Sequence, residues 1–138
     1  MTTYVAKGKI TRAVAYVGTM LGVQGFMTRS VTTSIIASTT HTRAGATPLT
    51  TLINVIGTCA NSGDAVGLPA ATAANVGLEI DVYNAGANPA GVYPKGASDI
   101  IDGASAGASV TLTNANRARF VCTAVNTWIS AQHGATSA

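Results

Sequence analysis

Charge is scarce in this chain: 9% of its 138 residues are Asp, Glu, Lys or Arg, against roughly 25% in an average soluble domain. So few charges leave little surface that water solvates strongly. Aromatic residues are scarce as well, with 2 Phe, 1 Trp and 4 Tyr against 15 Gly. The 47% hydrophobic fraction therefore comes more from Ala and Val than from large side chains. One domain plus any arm is all the length allows. A lone subunit of this composition has a thin core, and burial against neighbouring subunits is the simplest source of further stabilisation.

Cysteine is nearly absent. Cys59 and Cys122 stand far apart and in no CxxC arrangement, which removes zinc-ribbon and thioredoxin-type chemistry. Each lies in an apolar segment of β character, so buried reduced thiols are expected, with a disulfide across neighbouring strands as the alternative. No apolar run is long enough for a membrane helix. The uncharged stretch from Ala13 to Thr28 covers 16 residues and is broken by Gly18, Gly22, Gln24 and Gly25, short of the roughly 20 needed. Lys7, Lys9 and Arg12 ahead of Ala13 to Val23 follow the order of a secretory leader. We expect instead an arm that stays and docks.

Acid is missing from the first third. Residues 1–43 carry Lys7, Lys9, Arg12, Arg29 and Arg43 with no Asp or Glu, whereas residues 44–138 hold Lys95, Arg117 and Arg119 against Asp64, Glu79, Asp81, Asp99 and Asp102. The formal net charge of +3 thus hides a basic arm and a mildly acidic remainder. Those basic residues are too dilute, and too poor in interleaved aromatics, for a nucleic-acid track. Docking on an acidic protein surface is the better expectation, with Lys7, Lys9, Arg12 and Arg29 as the contacts.

What the chain does have is strand signal. In Gly77 to Tyr83, apolar Leu78, Ile80 and Val82 alternate with Glu79, Asp81 and Tyr83, the period of a strand with one buried face. The turn formers Asn84 to Pro89 follow, then Ala90 to Tyr93, which together suggest a hairpin. Pro94 and Gly96 end it, Ile100-Ile101 makes a short piece, and Ser109 to Thr113 alternates again. Asn114 to Asn116 turns the chain into Arg117 to Thr123, and Val125-Asn126 leads to Thr127 to Ser130. Leu49 to Thr58 and Ala65 to Leu68 are further strand candidates. Pro69 to Asn75 has the composition of an irregular crossover, with a helical turn or two as the alternative.

Spacing of about ten residues between strand candidates suggests an all-β fold, an antiparallel β-sandwich or small barrel. Its domain is expected over residues 47–138. Residues 1–46 are read as a basic extended arm with one or two strands, at Ala13 to Val17 and Val31 to Ile36. The expected core residues are Leu78, Ile80, Val82, Val110, Leu112, Phe120 and Trp128. As the only Trp, Trp128 is expected to be the main filler of the core; a stacking platform for a ligand is the alternative.

Residues with chemical potential form no constellation. His41 and His133 sit far apart near loops, without a ligand partner at metal spacing. Glu79 and Asp81 share one strand face, but it is the face opposite Leu78 and Ile80, so they are expected to lie in solvent or in an interface. Asp99 and Asp102 lack the dense oxygen spacing of a calcium loop. No nucleophile elbow, phosphate loop or dinucleotide fingerprint occurs. Neither an enzyme nor a protein with a metal or cofactor is expected.

One resemblance adds to this reading. Thr42 to Leu49, Ser62 to Ala71, Glu79 to Asn84 with Gly86-Ala87-Asn88, Val92-Tyr93-Pro94, Ile101-Asp102-Gly103, Ala108-Ser109-Val110 and Ala118 to Thr123 leading to Thr127-Trp128 occur in the order found in a β-module of tailed-bacteriophage structural proteins. The similarity covers about residues 42 to 130. It departs at Val125-Asn126, where a small residue and Gly would be expected, and residues 1–41 lie outside it. The resemblance implies a virion protein, and most closely a capsid decoration (cement) protein. Such proteins are short, often homotrimeric, and sit on the outer surface of the capsid across subunits of the major capsid protein. A tail-fibre or receptor- or carbohydrate-binding module, with Tyr83, Tyr93 and Trp128 as sugar platforms, or a head–tail connector component, are the alternatives.

Overall fold

The computed structural model describes residues 28–134. The strand expected at Ala13 to Val17 lies outside them, as do Lys7, Lys9 and Arg12.

The described chain is all-β, with ten strands: β1 (Val31–Ile36), β2 (Thr47–Pro48), β3 (Ile53–Thr58), β4 (Asp64–Gly67), β5 (Glu79–Asn84), β6 (Ala90–Tyr93), β7 (Ile100–Ile101), β8 (Val110–Leu112), β9 (Asn116–Ala124) and β10 (Thr127–Gly134). A single 3-10 turn, Ala73–Asn75, lies in the crossover from β4 to β5. The strands form a six-stranded sheet in the order β1-β3-β5-β9-β10-β7 and a four-stranded sheet in the order β2-β4-β6-β8.

The chain passes from one sheet to the other at almost every step, so its first six strands wind as a short solenoid. In the larger sheet β1 pairs parallel with β3, and β3 parallel with β5. In the smaller sheet β2 pairs parallel with β4, and β4 parallel with β6. Apart from a single antiparallel bridge between Ser38 and Ala65, antiparallel pairing, the arrangement suggested by the sequence, begins at the far end. There β8 runs against β6, β9 against β5, and β10 against β9. The expected strand at Val31 to Ile36 is β1, and it belongs to this winding, with Ile35 and Ala37 in the core.

The segment expected to be a hairpin, Gly77 to Tyr93, is instead a corner. β5 and β6 lie in different sheets, and a polar latch makes the turn between them. Asn84 is fully buried; its Nδ2 donates to Asn88 O at 2.9 Å and Leu112 O at 3.1 Å, and its Oδ1 accepts from Gly86 N at 3.0 Å. Asn88 Nδ2 in turn donates to Cys59 O at 3.1 Å and Ala60 O at 2.7 Å, the corner of the preceding turn of winding. Gly86 is required there, because a Cβ at that position would lie 2.6 Å from the Cβ and N of Cys59. Turn formers suit a hairpin and a corner equally well; stacking on the corner below decides which forms.

The core lies between the sheets. Ile56, Ile80, Val82, Ala118, Phe120 and Trp128 of the larger sheet meet Val66, Ala90, Val92 and Leu112 of the smaller one, with Leu68 at the β4 end. Trp128 and Phe120 are its largest fully buried side chains. Of the seven core residues expected from the sequence, Ile80, Val82, Leu112, Phe120 and Trp128 are buried, while Leu78 and Val110 are partly buried and pack against the cluster. Among the described residues, β9 and β10 form the one hairpin of adjacent strands, turning through Val125-Asn126. Asn126 has a φ of 60°, a left-handed conformation that Asn tolerates and Gly favours.

Candidate functional site

The acidic side chains show where the polar chemistry of the chain has gone. Asp64, Asp81 and Asp99 are buried, and each is bonded within the protein.

Asp64, at the start of β4, accepts from Ala60 N and Asn61 N, both at 2.9 Å. His41 Nε2 lies 2.9 Å from its Oδ1, so this histidine, expected to be a free loop residue, ties the loop after β1 to the next turn of winding. The N–H of Asn61, with the further bonds from His41, Asn61 and Ala60, holds the Asp64 carboxyl below its ordinary value despite burial. Asp99 Oδ2 accepts from Ala71 N at 3.0 Å and Gly96 N at 2.9 Å, joining the two loops that follow β4 and β6. Asp102 accepts from Ser130 N at 2.6 Å and Ser130 Oγ at 2.5 Å. Among the described residues no group of three or more His, Cys, Asp or Glu side chains is placed to hold a metal.

Cys59 and Cys122 are buried and unpaired with each other. Burial raises both thiols above their ordinary value, Asp64 adding to the effect at Cys59 and Asp99 at Cys122. They stay protonated near neutral pH and are poor nucleophiles.

Asp81 departs most from expectation. On the alternation of β5 it shares the outer face with Glu79 and Tyr83, yet it is buried, because two arginines close over it. Arg119 on β9 binds it through Nε at 2.8 Å and an Nη at 3.1 Å. Arg29 bonds to it from ahead of β1, and also donates to Leu52 O at 3.3 Å and Glu79 O at 3.1 Å. Burial pushes the Asp81 carboxyl up, but the Arg119 and Arg29 hydrogen bonds outweigh it and hold the group below its ordinary value. Arg29, expected to contact a partner, is thus turned inward. Glu79 reaches Arg119 at 3.6 Å.

The row beside this clamp is different. Val55, Tyr83, Arg117 and His133 are consecutive neighbours across β3, β5, β9 and β10, all on the outer face of the larger sheet. Among the described residues Arg117 forms no ion pair. Asp81, Arg117, Arg119, Ala131 and His133 line a shallow cleft of about 180 Å³, with the small side chain of Ala131 leaving the hollow. Tyr83 and Ile129 on this face are 40% and 48% exposed.

The smaller sheet is not open in this way. Around it folds the loop after β1, where Tyr93 Oη donates to His41 O at 3.0 Å and Arg43 donates to Lys95 O at 2.6 Å. The three aromatics considered as a sugar platform are separated by the fold. Trp128 is 0% exposed, Tyr83 is on the larger sheet, and Tyr93 is on the smaller one.

Arg117 and Arg119, two residues apart on β9, share its exposed face; their different fates turn on Asp81, which lies far from both in sequence. Comparison with protein families, curated proteins and solved structures finds no match to the chain.

Proposed function

We propose that this chain is a structural protein of a tailed-phage virion, a decoration protein that binds on the outer surface of the capsid across subunits of the major capsid protein and associates with itself as a homotrimer. The observation that carries this reading is the engagement of the buried acids within the fold. Asp64, Asp81 and Asp99 are each bonded to backbone N–H groups or arginines, and the thiols are buried, so what the described residues offer a partner is surface. The segments that resemble a phage β-module span about residues 42 to 130, most of the described body. Under this reading Lys7, Lys9 and Arg12 extend the contact over the capsid. They lie outside the described residues.

The test is a count of subunits per particle, by quantitative mass spectrometry of purified virions. Copies matching the local threefold positions of the shell are the expected result. A small ring-like number would assign the protein to the head–tail connector instead, and binding of the isolated protein on a glycan array would assign it to receptor recognition.

A further inference from the structure

We infer that the outer face of the larger sheet is a docking surface for an acidic protein, and that the cleft beside Arg117 seats an Asp or Glu carboxylate of that partner. The inference concerns this face alone and holds whether or not the assembly is a virion.

Charge complementarity carries it. All five acids of the chain lie among the described residues. Three of them are buried and bonded, Glu79 is paired with Arg119, and Asp102 is held by Ser130. The acids of this face, Asp81 and Glu79, are thus both engaged by Arg119, and no acid among the described residues pairs with Arg117. On this face Arg29 and Arg119 balance Asp81 and Glu79, and Arg117, which lines the cleft, adds a further positive charge with its donors unclaimed by any acid among the described residues. A guanidinium presents a planar fork that fits a carboxylate through two parallel hydrogen bonds. Arg117 stands between Tyr83 on one neighbouring strand and His133 on the other, so its approach is bounded and its orientation limited.

The surroundings favour a protein over a nucleic acid. Val31, Tyr83 and Ile129 are exposed at 54%, 40% and 48%, and exposed apolar side chains together with Tyr and Arg, both enriched at protein interfaces, suit a protein partner. A phosphate backbone calls for several cations in a track, whereas the neighbouring Arg119 and Arg29 are already committed to Asp81.

The experiment is a titration of the isotope-labelled full chain with hexaglutamate, followed by NMR, with hexathymidylate as the second probe. Saturable shifts at Tyr83, Arg117 and His133 are expected, weakening as salt is raised. Arg117→Gln is expected to reduce the affinity about tenfold or more. Arg117→Lys, which keeps the charge but loses the fork, should fall between, and Lys95→Gln, an exposed cation off this face, should leave the affinity unchanged. Absence of shifts on the face, equal binding by Arg117→Gln, or tighter binding of hexathymidylate would each overturn the inference. These outcomes are independent of the copy number in a particle.

Discussion

The wound half of the molecule, β1 to β6, and the antiparallel half, β8 to β10, keep their strands in place by different means. The antiparallel half relies on volume: Phe120 and Trp128 are the largest fully buried side chains, and both come from it. The wound half has no fully buried aromatic. Its turns are fastened instead by Asn54, Asp64 and Asn84, all fully buried, whose bonds run from one turn of winding to the next or across a corner. Asn54 Nδ2, for example, donates to Thr51 O at 2.8 Å, fixing the entry to β3. A stack of small side chains gains little from shape, since many registers fill space almost equally well. Buried polar groups are more selective, because a wrong register leaves them unpaired.

Removing volume from the antiparallel half gives the largest expected effect. Trp128→Ala should lower the unfolding free energy by about 3 to 5 kcal/mol, measured by urea denaturation. Trp128→Phe should recover more than half of that loss, because Trp128 Nε1 has no hydrogen-bond partner and only volume is given up. Equal losses in the two variants would show that volume is not what Trp128 supplies.

Removing a latch from the wound half comes next. Asn84→Ala strips the partner from Gly86 N, Asn88 O and Leu112 O and is expected to cost about 2 to 3 kcal/mol. The loss should appear in hydrogen exchange first at the β5–β6 corner, and protection lost evenly over the whole chain would argue against a local latch.

The smallest effect is one of pH. Asp64 and Asp81 both titrate below the ordinary Asp value of 3.8 in the folded protein, so the unfolded chain binds their protons first. Their contribution is complete above that value and is lost as pH falls through the lower folded values. Thermal stability should therefore decline on acidification below about pH 4, and Asp81→Asn should flatten the decline. An unchanged slope in that variant would remove Asp81 from the account.

The same contrast explains how much could be read in the sequence. Alternation placed Ile80, Val82, Leu112 and Phe120 in the core, because the period of a strand is local. Which strand pairs with which is not local. Parallel and antiparallel partners call for the same alternation, so the winding of β1 to β6 left no mark that a sandwich would not also leave. The Asp81 clamp was hidden for a related reason: Arg29 and Arg119 approach it from strand neighbours that only the topology supplies. His41 and Asp64 met in the same way. Gly86 was legible as a turn residue, but its contact with Cys59 depends on the corner stacked beneath it.

That contact makes the two cysteines a matched pair of natural reporters. Cys59 lies under the corner that Gly86 closes, and Cys122 lies in β9 beside the main apolar filling. A thiol-alkylating reagent reaches a buried protonated sulfur only when the structure around it opens. The rate at Cys59 therefore times the lifting of one turn of winding from the next, and the rate at Cys122 times the opening of the hairpin half. One unmodified chain can in this way report separately on how often each of its halves comes undone.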